Sequence, residues 1–168
     1  MLKNWDNTVE QWIARVHSVA GWFPELELPR IGEPEKLSLL EQICLGAFSY
    51  REIKERPVWP VVKSWLSPAQ QRALDELAPE RIKLAGGKSV KITYSESNPP
   101  TIAARIQDLY GVKKNLIVGR GKIALRIQVL APNHRPIQIA DDLENFWSAT
   151  YPKIKKELQR KYPKHEWR

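Results

Sequence analysis

The hydrophobic repeat of this chain changes at Pro79, and that change restricts the fold more than any other feature. Before it, apolar residues recur at helical spacing and are interrupted by prolines. After it, apolar and polar residues alternate, as in strands that bury one face. Helices grouped ahead of strands imply an α+β chain rather than a parallel sheet with a helix after every strand. A length of 168 residues suits one domain or two small ones. The expected division is a helical region over residues 1–78 and an α+β domain over residues 79–168.

Proline and capping signals place the helices. Asn7 or Thr8 is expected to cap a helix to about Ala20, with Trp12, Val16 and Val19 on one face and Gly21 ending it. Pro24, Pro29 and Pro34 make the next stretch an irregular connector. A helix follows from Pro34 to Leu45, with Leu37, Leu40 and Cys44 in line and Ile43 beside them. Ser49 and Glu52 have capping-box spacing, and Pro57 closes that short helix. Pro60 fits the first turn of the next one. Ser67 then Pro68 reads as a cap followed by proline at the first helical position, giving a helix from Pro68 to about Leu77.

The second half reads as ββαββα. Residues 81–94 alternate on both sides of Gly86-Gly87, the pattern of a β-hairpin. Thr101 is expected to cap a helix carrying Ile102, Ile106, Leu109 and Tyr110, ended by Gly111. Ile123, Leu125, Ile127 and Val129 mark a strand. Pro132, Asn133 and His134 turn it into another, up to Asp141-Asp142. One of these two aspartates caps a final helix, which Pro152 kinks or restarts. Such an order predicts a small antiparallel sheet and a C-terminal basic helix.

Charge separates the halves as sharply as periodicity does. Residues 1–100 carry equal numbers of acidic and basic groups, so the whole formal net charge of +8 lies in residues 101–168. This asymmetry points to a polyanionic partner. Lys153, Lys156, Arg160 and Lys164 follow one helical stripe; Lys155 and Lys161 are further cations of the same segment, Lys161 trending to the face of Ile154 and Leu158. Together these six are the candidate phosphate contacts, with Arg120, Lys122 and Arg126 extending the patch from the sheet. The expected partner is RNA or single-stranded nucleic acid; an acidic protein surface fits the same stripe. Membrane is disfavoured, because the stripe has few large apolar residues and no apolar run nears the ~20 residues of a span. The 7 tryptophans fit core and domain-interface packing, the reading favoured for the five that precede Pro79.

Signatures of catalysis and metal binding fail one by one. AGGKS at 85–89 ends like a phosphate-binding loop, but Ile82 stands where the first glycine belongs and strand pattern lies on both sides. His17, His134 and His165 lack metal-ligand spacing, and Cys44 has no partner cysteine. Asp141 and Asp142 fit a helix N-terminus better than a magnesium site. No cofactor or metal is expected, and the chain alone is not expected to be an enzyme. One cysteine and an N-terminus without a signal-peptide pattern place it in the cytoplasm by expectation.

The residues also carry a resemblance. WLSPAQQRALDELAPERIKLAGGKSVKITYSESNPP, then ARIQDLYGV, then RPIQIADDLENFWSATYPKIKKELQRKYPKHEW resemble the C-terminal region of bacterial HrpB-type ATP-dependent RNA helicases, of the DEAH/RHA group in superfamily 2. The similarity runs collinearly from about Trp65 to Trp167. It implies a non-catalytic accessory module, since the Walker A and DEAH motifs of the motor domains are absent from this sequence. By analogy with related helicases it also implies an OB-like sheet near the RNA path. A second implied role is a protein-interaction domain that docks on helicase motor domains, with the tryptophan-rich half as contact surface. Both a free-standing gene product and a piece of a longer helicase fit the sequence.

Overall fold

The computed structural model describes residues 2–168 as an α+β protein resolved into two compact units. The first comprises the chain up to Ala78 together with Tyr94–Glu96; the second comprises Pro79–Thr93 and Ser97–Arg168.

The first unit is helical: α1 Asn7–Trp22, α2 Glu33–Cys44, α3 Tyr50–Glu55, α4 Trp59–Lys63 and α5 Pro68–Leu77. The cap of α1 is Asp6, one position before the expected Asn7 or Thr8; its carboxylate accepts from the Thr8 amide at 2.9 Å. Asp6 wins because an ionised acceptor binds the exposed amides and meets the positive end of the helix dipole. Val9, Trp12, Ile13, Val16 and Val19 are buried along α1. The α5 capping box forms as expected, with Ser67 accepting from the Gln70 amide at 3.1 Å and Gln70 accepting from the Ser67 amide at 3.0 Å.

One helical face departs from its reading. Leu39 and Ile43 are the buried residues of α2, while Leu37 is 58% exposed. Leu37, Leu40 and Cys44 satisfy the spacing too, but spacing offers two adjacent stripes and the packing of α2 with α4 selects one. The strip Tyr94–Glu96 joins this unit through α1. Gln11 behaves as a spare peptide group, donating to the Tyr94 carbonyl at 3.1 Å and accepting from its amide at 2.9 Å. The Tyr94 phenol is held well above its ordinary pKa by burial, partly offset by the Arg15 charge.

The second unit holds a five-stranded sheet in the order β1-β2-β3-β6-β7: β1 Arg81–Lys83, β2 Ser89–Thr93, β3 Thr101–Arg105, β6 Arg126–Leu130 and β7 Pro136–Ala140. The Gly86-Gly87 turn joins β1 and β2, with Gly87 at φ 93°. β3 pairs parallel with β6, whereas β1–β2, β2–β3 and β6–β7 are antiparallel. The sheet is therefore mixed, which corrects the expected antiparallel one.

The cause is the segment 101–105. It is a central strand, not the start of a helix capped by Thr101. Ala103 and Ala104 favour helix locally, but hydrogen bonds from two neighbouring strands override that preference. Only one helical turn, α6 Ile106–Leu109, follows. The strand expected through Ile123, Leu125, Ile127 and Val129 is divided at Leu125. β5 Ile123–Ala124 pairs with β4 Ile117–Val118, which the sequence had not revealed, and β6 enters the main sheet. Val90, Ile92, Ile102, Ala104, Ile127 and Val129 supply its buried face.

The last helical segment starts with Asp142, which accepts from the Asn145 amide at 3.1 Å, and α7 Leu143–Asn145. A π-helical turn, Phe146–Thr150, leads into α8 Tyr151–Lys161. The Tyr151 amide donates to the carbonyl of Phe146, five residues back. Pro152 has no N–H and crowds the preceding turn, so one wider turn carries the helix past it. The proline is thus absorbed by a π turn, without a break.

Candidate nucleic-acid interface

α8 separates its apolar and basic residues cleanly. Tyr151 and Leu158 are buried, while Lys153, Lys156, Arg160 and Lys161 are exposed. Arg160 and Lys161 lie in the last turn, where cations oppose the helix dipole. Lys161 also pairs with Glu157 at 2.9 Å, and hydrogen bonding from Lys161 holds that carboxyl below its ordinary value. Lys155 turns inward, its ammonium 5.9 Å from the Tyr151 ring centre.

Four expected contacts lie off this helix. α8 ends at Lys161, so Lys164 sits in the turn beyond it rather than on the stripe. Arg120 and Lys122 occupy the turn between β4 and β5, where Gly119, Arg120 and Gly121 have φ of 63°, 55° and 79°. Arg126 is held by Asp141, its Nε and Nη2 donating at 2.7 and 3.1 Å. A bidentate carboxylate already occupies the fork a phosphate would need. The structure therefore gathers Lys153, Lys155, Lys156, Arg160 and Lys161 and sets the other four elsewhere.

An aromatic recess in this unit was not anticipated. The end of α6 brings Tyr110, and the π turn brings Phe146, Trp147 and then Tyr151. Trp147 lies 5.9 Å from Tyr110 and 5.1 Å from Tyr151, centre to centre. Its indole N–H donates to the Val112 carbonyl at 2.7 Å, which fixes the ring. The Tyr110 and Tyr151 hydroxyls meet at 3.0 Å, and Tyr151 donates to the Arg168 carbonyl at 2.8 Å. Burial, reinforced by the Tyr110 hydroxyl, keeps the Tyr151 phenol far above its ordinary pKa and hence protonated. The Arg168 guanidinium stands 5.3 Å from the Tyr110 ring centre. Exposed Lys113 and Lys114 complete the rim of a groove of about 610 Å³.

The pair Phe146-Trp147 with Tyr151 four residues on was a visible signal: Trp147 and Tyr151 share a helical face. Tyr110 and the lysines after it joined that face only through the fold. Among the described residues no group of three or more His, Cys, Asp or Glu gathers to hold a metal ion. Among the same residues no helix is long and apolar enough to cross a membrane.

Residues 39–168 match the family model for the ATP-dependent helicase C-terminal region, HrpB_C. The chain belongs to this family. Over 98% of its length the chain is 33% identical to the ATP-dependent RNA helicase HrpB of Escherichia coli K12, of which it spans 21%. It also matches a crystal structure of the E. coli DExH-box NTPase HrpB with a TM-score of 0.88 and 32% identity, over 98% of this chain and 21% of that one. A structure of the E. coli DEAH/RHA helicase HrpB matches with a TM-score of 0.77 and 31% identity, over 99% of this chain and 22% of that one. The chain thus spans about a fifth of the length of the relatives it matches.

Proposed function

We propose that this chain is a non-catalytic accessory module of an ATP-dependent RNA helicase and that it binds RNA as a single strand. The carrying observation is the exposed face of α8, where Lys153, Lys156, Arg160 and Lys161 stand beyond a buried apolar edge. Ammonium and guanidinium groups on one rigid helix release counterions when they meet phosphates, and that release supplies affinity without sequence preference. Lys164, Arg120 and Lys122 remain further proposed phosphate contacts away from this helix, and Arg126 is held by Asp141. In this proposal residues 79–168 form the RNA-binding domain and residues 1–78 a helical domain. The OB-like character of the sheet enters only as analogy. The proposed location is the cytoplasm.

Fluorescence anisotropy with labelled single-stranded RNA at a series of salt concentrations tests this. About five phosphate contacts give a log–log slope of about −3 to −4 for a single strand. No binding at low salt overturns the proposal.

A specific observation supports a second reading, docking on helicase motor domains. Leu45, Phe48 and Tyr50, around the α2–α3 connection, are 79%, 94% and 68% exposed. The tryptophans expected to form that surface are buried or half-buried instead. A contiguous exposed apolar stretch of this kind fits a protein partner better than RNA. Pull-down of purified helicase motor domains is expected to succeed with the native chain and to fail with Phe48→Ser. Equal capture by both discards this surface.

A further inference from the structure

We infer that the recess formed by Tyr110, Trp147 and Tyr151 is a seat for one unpaired nucleobase of a single-stranded nucleic acid. The inference rests on the RNA reading above and adds a stacking site to a phosphate-binding surface.

Three features of the recess support it. Its rings are immobilised by hydrogen bonds at their polar ends. The Trp147 N–H is taken by the Val112 carbonyl and the Tyr151 hydroxyl by the Arg168 carbonyl. Tyr151 is buried and backs the recess, so half-buried Trp147 and Tyr110 are the rings that can meet a guest. Fixed aromatic faces lose little entropy on stacking a planar guest. The size also fits, since about 610 Å³ lies in the range of small-ligand sites and admits a base with its sugar.

Charge then selects the guest. Lys113 and Lys114 are exposed on the rim, Arg168 stands over Tyr110, and Lys155 stands over Tyr151. An aromatic floor edged by Lys113 and Lys114, with Arg168 paired to Glu166 at 3.0 Å, matches a planar base attached to an anionic backbone. It disfavours a cationic guest, for which bare aromatic faces with acidic groups would be needed. Among the described residues Glu144 is the one acid on the lining, and a carboxylate there can accept from a base N–H, such as the N3–H of uracil. Lys155 links the two surfaces, because it belongs to α8 and leans on a ring of the recess. A strand tracked by α8 therefore has a place to leave one base.

The test compares two strands of equal length, a short polyuridine and the same backbone without bases. It measures them against the native chain, Trp147→Leu and Trp147→Phe. Stacking on one aromatic side chain is worth about 1–3 kcal/mol per base. Trp147→Leu is therefore expected to weaken polyuridine about 5- to 150-fold and to leave the abasic strand unchanged. Trp147→Phe, which keeps a ring, is expected to retain most of the affinity. Equal loss on both strands, or loss on neither, overturns the seat while leaving the phosphate reading intact. If neither strand binds the native chain, the RNA reading falls. The seat is then judged by millimolar uridine monophosphate, whose failure to quench fluorescence in a Trp147-dependent way overturns it.

Discussion

Replacing Lys153, Lys156 and Arg160 together by glutamate is expected to weaken single-stranded RNA binding about a hundredfold or more at low salt. The three side chains are exposed on one face of α8, spaced three and four residues apart. Over that interval the helix rises about 10 Å, enough to address successive phosphates. Losing three contacts is expected to flatten the log–log salt slope by about 2 units, since each contributes about 0.7 on a single strand. Reversal also places acids against phosphate, so affinity falls further than neutralisation alone would give. Stability should change little, because the apolar edge of the helix, Tyr151 and Leu158, is untouched. The measurement is anisotropy across a salt series, with circular dichroism to verify the fold. An unchanged slope would mean that α8 does not touch the backbone.

Arg15→Ala is expected to destabilise the helical unit by about 3 kcal/mol. Arg15 is the one charged residue among those described that is buried, at 3% exposure. Its Nε donates to the Ala78 carbonyl at 2.7 Å and its Nη2 to Asp75 at 3.0 Å. The Asp75 side chain is 77% exposed, so solvent screens that pair and limits it to under about 1 kcal/mol. The carbonyl matters more. Ala78 is the C-cap just past α5, at 0% exposure, and a helix end leaves carbonyls without intrahelical donors. Stranding one in a dry interior costs about 1–3 kcal/mol, and the lost packing of the arginine stem adds to it. Arg15→Met restores the stem but no donor, so its expected loss is smaller, about 1–2 kcal/mol. Urea denaturation followed by tryptophan fluorescence measures both. A loss below about 1 kcal/mol for Arg15→Ala would show that the carbonyl finds another donor.

Local chemistry was legible wherever neighbours in sequence decide the outcome. The Ser67 cap, the Gly86-Gly87 hairpin and the Asp142 cap each depend on residues within a few positions, and each formed where its pattern stood. The basic face of α8 was legible for the same reason. Strand 101–105 was not. Its alanines and threonine favour a capped helix in isolation, and only β2 and β6 on either side make it a strand. Arg126 looked available because the sequence does not show that β6 and the end of β7 bring Asp141 beside it.

What the sequence by itself determined is the α+β class, the helices before Pro79 and the concentration of positive charge after residue 100. These follow from periodicity, capping and composition, which act over a turn or two of chain. Tertiary structure alone decided the parallel pairing of β3 with β6 and the assembly of Tyr110 with Trp147 and Tyr151. It also chose which cations stay exposed on α8. Those outcomes join residues tens of positions apart, and burial and hydrogen bonding in the folded chain select among pairings that the local pattern leaves equal.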